Sequence, residues 1–331
     1  VILTVTPNPS LDRTVELPAP LAVGQVQRAA AQHSEPGGKG VNITRALAAA
    51  GESSLALLPG DPGDPVLLAL EELEVRHEAL PIGAALRTNI TITDPAGTTT
   101  KINEPGPALV QDQVEALAQA VIRRAGTASW TALAGSLPPG VPETFYADVI
   151  SRLRSAAGEA PHAIAVDASG PALAHAAAAG PDLIKPNAEE LLELHRALIG
   201  PEATPAVHAS ELEGDRGLAV ELVRRLQTRG VRSALVTLGP HGAVLIPEEG
   251  SSAPVLAASG PPLVVRSTVG AGDASLAGYL LAAHRGGTAE ERLLRAAAQG
   301  RAAASLPGST MPRPHDLRIL DIVVEHITPT K

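Results

Sequence analysis

The chain of 331 residues contains no cysteine, which excludes disulfides, thiolate nucleophiles and cysteine-based zinc sites and leaves the redox compartment open. Aromatic residues are 1% of the total, so bases cannot be held on Phe, Tyr or Trp platforms and a purine ring would need an aliphatic slot. Positive charge is not in excess either: 26 Lys and Arg stand against 35 Asp and Glu, a net charge of −9. With no basic block, no nucleic-acid partner is expected. Pro, Gly and charged residues interrupt every apolar run before the roughly 20 residues that a membrane-spanning helix needs. Residue 1 already belongs to the apolar run Val1-Ile2-Leu3-Thr4-Val5, with no basic segment or cleavage site before it, so the expectation is a soluble cytoplasmic protein without an export signal. The histidines show no HExxH spacing, and zinc chemistry has no support.

What is present is a series of short β-type runs alternating with helical patterns. Runs at 54–58, 131–134, 163–166 and 234–237 are separated by helical segments such as 40–50, 142–156 and 218–228. This alternation predicts a doubly wound α/β fold, a mostly parallel sheet flanked by helices, with ligands bound beyond the carboxyl ends of the strands. Each run enters a cluster of turn residues: Ala134-Gly135-Ser136, Val166-Asp167-Ala168, Ile184-Lys185-Pro186-Asn187 and Leu238-Gly239-Pro240. These clusters are expected to line one rim. The length suits one large domain or two smaller ones. Two stretches break the alternation. Residues 14–17 and 88–93, with 98–102 after Asp94-Pro95-Ala96-Gly97, read as strands with no helix between them, and predict a small accessory sheet serving as a lid and burying one face against another subunit. The polar segment 200–214 reads as an exposed loop.

Three segments carry chemistry. In Ser267-Thr268-Val269-Gly270-Ala271-Gly272-Asp273, a β-branched run at 263–266 reads as a strand leading through a glycine turn into a helix. Such a turn lets backbone approach a ligand, and the helix start offers unpaired N–H donors to an anion. Asp273 there is either a helix cap or a proton acceptor. No Lys-Ser or Lys-Thr follows the glycines, so this is not a Walker A loop. In Gly37-Gly38-Lys39-Gly40-Val41-Asn42, donors, a cation and an amide gather at another helix start, or else a flexible hinge carries an exposed lysine. Asn187 and Glu190 are three apart at the start of a helix, the spacing both of a capping box and of a pair facing one hydrated Mg²⁺. Asp12, after the first strand, could accept from hydroxyl groups at the rim or serve as a turn residue.

Together these segments resemble the ribokinase-like, or PfkB, carbohydrate kinase family across nearly the whole chain. Residues 37–42 and 267–273 look like its two signatures, and Asn187 with Glu190 matches its NxxE element. The stretches Thr100-Lys101-Ile102-Asn103-Glu104-Pro105-Gly106-Pro107, Gly135-Ser136-Leu137-Pro138-Pro139-Gly140 and Asp167-Ala168-Ser169-Gly170 look like the 1-phosphofructokinase and tagatose-6-phosphate kinase branch.

The resemblance implies one kinase unit over 1–331, a Rossmann-type domain with a small β-sheet lid formed roughly by 13–35 and 86–105. It implies ATP as phosphoryl donor, Mg²⁺, and Asp273 as catalytic base beside an anion hole of Gly270, Ala271 and Gly272. A phosphorylated ketohexose is the implied substrate, with fructose 1-phosphate taken at its 6-hydroxyl. Lys39 suits a substrate that already carries a phosphate, and Arg87 matches a family position that holds one. Asp12 and Asn42 would hold sugar hydroxyls, and Gly37, Gly38, Asn103 and Ser136 would complete the substrate site. Lys185, Asn187, Thr237, Gly239 and Gly242 would serve the nucleotide, with Mg²⁺ by Asn187 and Glu190, and a homodimer would form through the lid. The alternatives are tagatose-6-phosphate kinase or another phosphosugar kinase and, from a different class, a sugar-phosphate sensor that keeps the fold without catalysis.

Overall fold

In the computed structural model, which describes residues 1–156 and 162–327, the alternation becomes two sheets. Among the described residues the larger has ten strands: β1 (Ile2–Val5), β4 (Ser54–Pro59), β5 (His77–Leu80), β8 (Trp130–Ala134), β9 (Ala163–Asp167), β10 (Leu183–Ile184), β11 (Ala234–Thr237), β12 (Ala243–Ile246), β13 (Leu256–Ser259) and β14 (Val323–His326). The smaller is made of β2 (Ser10–Glu16), β3 (Ala31–Gly37), β6 (Arg87–Thr93) and β7 (Thr99–Ile102). The helices are α1 (Lys39–Ala49), α2 (Pro65–Glu72), α3 (Gln111–Ala125), α4 (Phe145–Ala156), α5 (Gly170–Ala178), α6 (Ala188–Leu198), α7 (Ala209–Glu213), α8 (Arg216–Gln227), α9 (Ala271–His284) and α10 (Ala289–Ala304). None of them is long and apolar enough to cross a membrane.

The large sheet runs β14-β13-β12-β11-β10-β9-β8-β1-β4-β5, parallel from β5 to β11 and antiparallel beyond. After β1 the chain adds β4 and β5 on one side, then crosses to build β8 to β11 on the other. A crevice therefore opens at the carboxyl ends of β1 and β8, where the winding reverses. β1 is buried along its whole length, as a central parallel strand must be. Its side chains alternate between two cores: Leu3 and Val5 face α3 to α6 and α8, and Ile2 faces α1, α9 and α10. The second core is rich in alanine, which lets α9 lie close to α10 and be buried on nearly all sides between Asp273 and Leu281.

In the small sheet the order is β3-β2-β6-β7. Its outer pairs are antiparallel and the β2–β6 pair is parallel, with Ser10 beside Arg87 and Asp12 beside Asn89. β3, the edge strand that runs into Gly37, has too few β-branched residues to be read from sequence.

Two sequence expectations are corrected. Residues 263–266 form no strand; the chain there is exposed, with Val264 at 83%. β-Branched residues favour extended backbone, but no neighbouring strand is available, and the Arg266 and Ser267 amides donate to Ala304 O at the end of α10, at 2.9 and 3.3 Å. Segment 200–214 is not a bare loop. It contains a 3₁₀ turn (Pro201–Ala203) and α7, anchored by wholly buried Leu212 and by Thr204 Oγ1, 2.8 Å from His195 Nδ1.

Candidate active site

The charged groups come from strand ends at the crevice. β9 closes on Asp167, with no exposed surface; the chain leaving β10 supplies Lys185, 4% exposed; α1 opens on Lys39. Lys39 Nζ lies 2.7 Å from Asp167 Oδ1 and 3.2 Å from Glu190 Oε1, and Lys185 Nζ lies 3.0 Å from Asp167 Oδ2. Burial alone would push the Asp167 carboxyl up, but Lys185 and Lys39 together hold it below the ordinary carboxylate range. Burial likewise works against the Lys39 ammonium, and Asp167 and then Glu190 overcome it and raise its pKa. Lys39 is thus a firm cation already engaged by two carboxylates.

The glycine turn meets this cluster from the other side. Gly270 takes a left-handed conformation (φ 74°) as N-cap of α9, which places Asp273 in the first turn. A side chain at Gly270 would be strained by that φ and would also press on Met311. The Asp273 carboxylate accepts from Asn42 Nδ2, on α1, at 2.8 Å. Burial first, and the negative charge of Asp167 second, raise its carboxyl to about 6, against the pull of Lys39, the Asn42 hydrogen bond and Lys185. Such a group is ionised at neutral pH yet far more basic than an exposed aspartate. At Gly272 a Cβ would stand 3.2 Å from Lys185 Nζ, so the missing side chain lets the ammonium approach the helix start.

The small sheet supplies the opposite wall. Asp12 Oδ1 accepts from Ser10 Oγ (2.7 Å) and Asn89 Nδ2 (2.9 Å), and the carboxylate rests on Gly37, leaving no room for a Cβ there. Gly38 is the N-cap of α1. Arg87 donates to Glu104 O and Asn8 O, both at 3.0 Å, while its Nε–H is buried without a partner among the described residues. Asn8 Nδ2 donates to Pro105 O at 3.0 Å and to Ser136 Oγ at 3.3 Å. Asn8, Arg87, Pro105, Ser136, Gly140 and Ser169 help line a cavity of 540 Å³. Asn103 is exposed just past β7; its neighbours Glu104 and Pro105 make the contacts to Arg87 and Asn8.

At the other end of the crevice, Asn187 caps α6. Its Oδ1 accepts from the Glu190 amide at 2.8 Å, and Glu190 Oε2 accepts from the Asn187 amide at 3.0 Å, a complete capping box. Asn187 pairs with Thr237 in a parallel bridge, and Gly239 and Gly242 bracket a tight turn closed by Leu238 N donating to Gly242 O at 2.8 Å. Among the described residues no three His, Asp or Glu are grouped to cage a metal. Both Glu190 oxygens are already engaged, one by the cap and one by Lys39, so the pair fits a Mg²⁺ that keeps its water shell and is reached through it.

Sequence reasoning assigned no role to Asp167, Asn8 or Arg45. The signal for Asp167 was a charged residue closing a buried parallel strand at the rim, and for Asn8 its place just after β1. Arg45 is visible only in three dimensions.

A basic carboxylate, two lysines and a helix start facing one crevice are groups able to receive an anion and a proton, the chemistry that phosphoryl transfer needs. The chain belongs to the pfkB family of carbohydrate kinases, whose model matches residues 8–316. It is 35% identical to a 1-phosphofructokinase of Rhodobacter capsulatus, over 96% of this chain and 95% of that protein. It is 32% identical to the ATP-dependent 6-phosphofructokinase isozyme 2 of Escherichia coli K12, over 94% of each. The crystal structure of the E. coli phosphofructokinase-2 with substrates and products superposes with a TM-score of 0.80 at 29% identity, covering 95% of this chain and 96% of that one.

Proposed function

We propose that the chain transfers the γ-phosphoryl group of ATP to the 6-hydroxyl of fructose 1-phosphate, breaking the bond to the β-phosphate and giving fructose 1,6-bisphosphate and ADP. The observation that carries this reading is Asp273, buried in the first turn of α9, held by Asn42 and raised in basicity by burial and by the charge of Asp167, against the pull of Lys39 and Lys185. As the sugar hydroxyl attacks, Asp273 takes its proton, and the amides of Gly270, Ala271 and Gly272 receive charge developing on the transferring phosphoryl. Lys185 accompanies the same phosphoryl group. Asp12 holds sugar hydroxyls, and Arg87, with its unpartnered Nε–H and the adjacent 540 Å³ cavity, holds the phosphate already on the sugar. Lys39, paired with Asp167 and Glu190, keeps these carboxylates from opposing the incoming anions. The Thr237–Gly242 turn supports the nucleotide. Asn187 and Glu190 would hold Mg²⁺ through its water shell, and the ion would supply positive charge against that of the nucleotide phosphates.

The small sheet acts as a lid that excludes water from the transfer. Val23 and Val26 in the β2–β3 connection are 92% and 99% exposed, which supports a homodimer formed through this lid; a monomer in sedimentation would refute it. Dependence on ATP fits a cytoplasmic location.

The similarity to a 6-phosphofructokinase favours a second reading, with fructose 6-phosphate as acceptor. Initial rates with fructose 1-phosphate, fructose 6-phosphate, tagatose 6-phosphate and ribose decide between them. The expected order places fructose 1-phosphate first; a preference for fructose 6-phosphate selects the second reading, and a preference for ribose refutes both. Asp273→Asn is expected to lower kcat by about 10²–10⁴.

A further inference from the structure

Asn42 is held at both ends. Its Nδ2 donates to Asp273 Oδ2 at 2.8 Å, and its Oδ1 accepts from Arg45 Nη1 at 3.2 Å. Arg45 is one turn further along α1 and 7% exposed. The same guanidinium donates to Pro36 O at 3.0 Å and, through Nη2, to Glu35 Oε1 at 3.1 Å. Glu35 and Pro36 lie on lid strand β3. Glu35 Oε2 in turn accepts from the Ser309 amide at 3.2 Å and from the Ser309 hydroxyl. A continuous path thus runs from the lid edge through Arg45 and Asn42 to Asp273.

We infer that Arg45 is a positioning residue for the phosphoryl transfer: it fixes the Asn42 amide so that the NH₂ faces Asp273, and it ties that orientation to lid strand β3. A guanidinium donates only, so the atom facing Arg45 must be the amide oxygen, and the nitrogen must face Asp273. An N–H pointed at a carboxylate favours its ionised, proton-accepting form. With the amide reversed, the oxygen would accept from a protonated Asp273 and repel an ionised one, favouring the form that cannot act as base. Beside a protonated Asp273, Asn42 alone could present either end of its amide, and only the ionised carboxylate would by itself select the NH₂. Arg45 chooses, and its own direction is set by Glu35 and Pro36.

The charged groups around this path are accounted for. Asp273 is faced by Asp167 of β9, Lys39 of α1 and Lys185 after β10. Arg45 is faced by Glu35 of β3 and, further off, Asp12 of β2. The groups that face Asp273 make no contact with Arg45 other than through Asn42, and Glu35 is the carboxylate that loses its partner when Arg45 is replaced.

The inference rests on the assignment of Asp273 as base, and the experiment separates the two. The pH dependence of kcat and of both KM values is measured for wild type, Arg45→Met, Arg45→Lys, Glu35→Gln and Asp273→Asn. Wild type is expected to lose activity on the acid side, and Asp273→Asn to be nearly inactive at every pH; a fully active Asp273→Asn overturns the base assignment itself. Arg45→Met is expected to move the acid limb up by about one pH unit, a loss of about tenfold below the limb, with most of the rate restored at high pH and the KM for ATP unchanged. Arg45→Lys, which can reach Asn42 or Glu35 but lacks the planar fork to hold both, should show a smaller shift, and Glu35→Gln a smaller one still. If Arg45→Met does not fold, Arg45→Lys and Glu35→Gln carry the test. Variants that lose kcat equally at all pH values, with the limb in its wild-type place, would show that Arg45 only supports packing and would overturn the inference.

Discussion

Replacing Asp273 by Asn should make the protein more stable while stopping its reaction. In the folded chain the Asp273 carboxyl is raised to about 6, against an ordinary value of 3.8. The folded state therefore binds this proton more tightly than the unfolded state, and it pays when the group ionises. The cost is absent below pH 3.8, grows as pH rises, and is fully developed above about pH 6. There it amounts to about 3 kcal/mol. Asparagine has nearly the same shape, can still accept from Asn42, and never ionises, so the variant escapes the cost. Over 331 residues, about 3 kcal/mol corresponds to a rise of about 4 °C in Tm. The assay is urea or thermal unfolding of wild type and Asp273→Asn at pH 8 and pH 5, with kcat measured in parallel. Groups that do not face Asp273 titrate alike in both proteins, so the difference reports Asp273 together with Lys39 and Asp167, whose proton affinities are tied to its charge. It should be about 3 kcal/mol at pH 8 and roughly half that at pH 5, alongside a loss of about 10²–10⁴ in kcat. A variant no more stable than wild type at pH 8, or equally stabilised at both pH values, would refute the reasoning that burial beside Asp167 sets the basicity of Asp273.

Removing the Asp167 charge should pull the other way on the same limb. Because Asp167 raises the Asp273 carboxyl, Asp167→Asn is expected to shift the acid limb of kcat to lower pH, and to cost about 3–5 kcal/mol in unfolding experiments by leaving the buried Lys185 ammonium without its carboxylate and Lys39 with Glu190 alone; an unmoved limb counts against the coupling. Gly272→Ala should leave Tm unchanged or slightly raised, since alanine is the better helix former, yet lower kcat about tenfold by pressing on Lys185 Nζ, 3.2 Å from the new Cβ; full activity would show that Lys185 need not approach the helix start. Gly242→Ala should fail to fold or lose several kcal/mol, because its φ is +98° and the new Cβ would fall 1.9 Å from Ala258 O; a normal melting curve would refute this. Arg87→Ala is expected to raise the KM for the phosphosugar at least about tenfold while the KM for ATP holds, and parallel increases in both would remove Arg87 from the phosphate site.

Much of this molecule was legible because its central strands are short, apolar and closed by turn residues. Residues 131–134, 163–166 and 234–237 were identified as strands from that pattern, and β8, β9 and β11 match them within a residue. The same rule failed at 263–266 because β-propensity records what fits a pleated surface, and no partner strand exists there to supply one. Segment 200–214 failed for the opposite reason. Leu212 alone of α7 is buried, and one buried residue in a turn and a half of helix leaves no period to detect.

The site was legible to the extent that backbone chemistry marks it. Glycine turns and cap residues announce helix starts, so Gly270, Asn187 and the segment 37–42 stood out. Pairings between side chains leave no such mark. Asn42 and Asp273 lie 231 residues apart, and Lys39 and Asp167 128 apart. They meet because parallel strands end at one rim, and sequence order says nothing of which ends face each other across the crevice. The consequence is more than geometric. An aspartate at a helix start is, from sequence, a low-pKa cap. What raises the proton affinity of Asp273 is burial first and a carboxylate on another strand second, while an amide aimed at it from another helix holds it in place, so that affinity belongs to the assembled crevice and not to the motif that contains it.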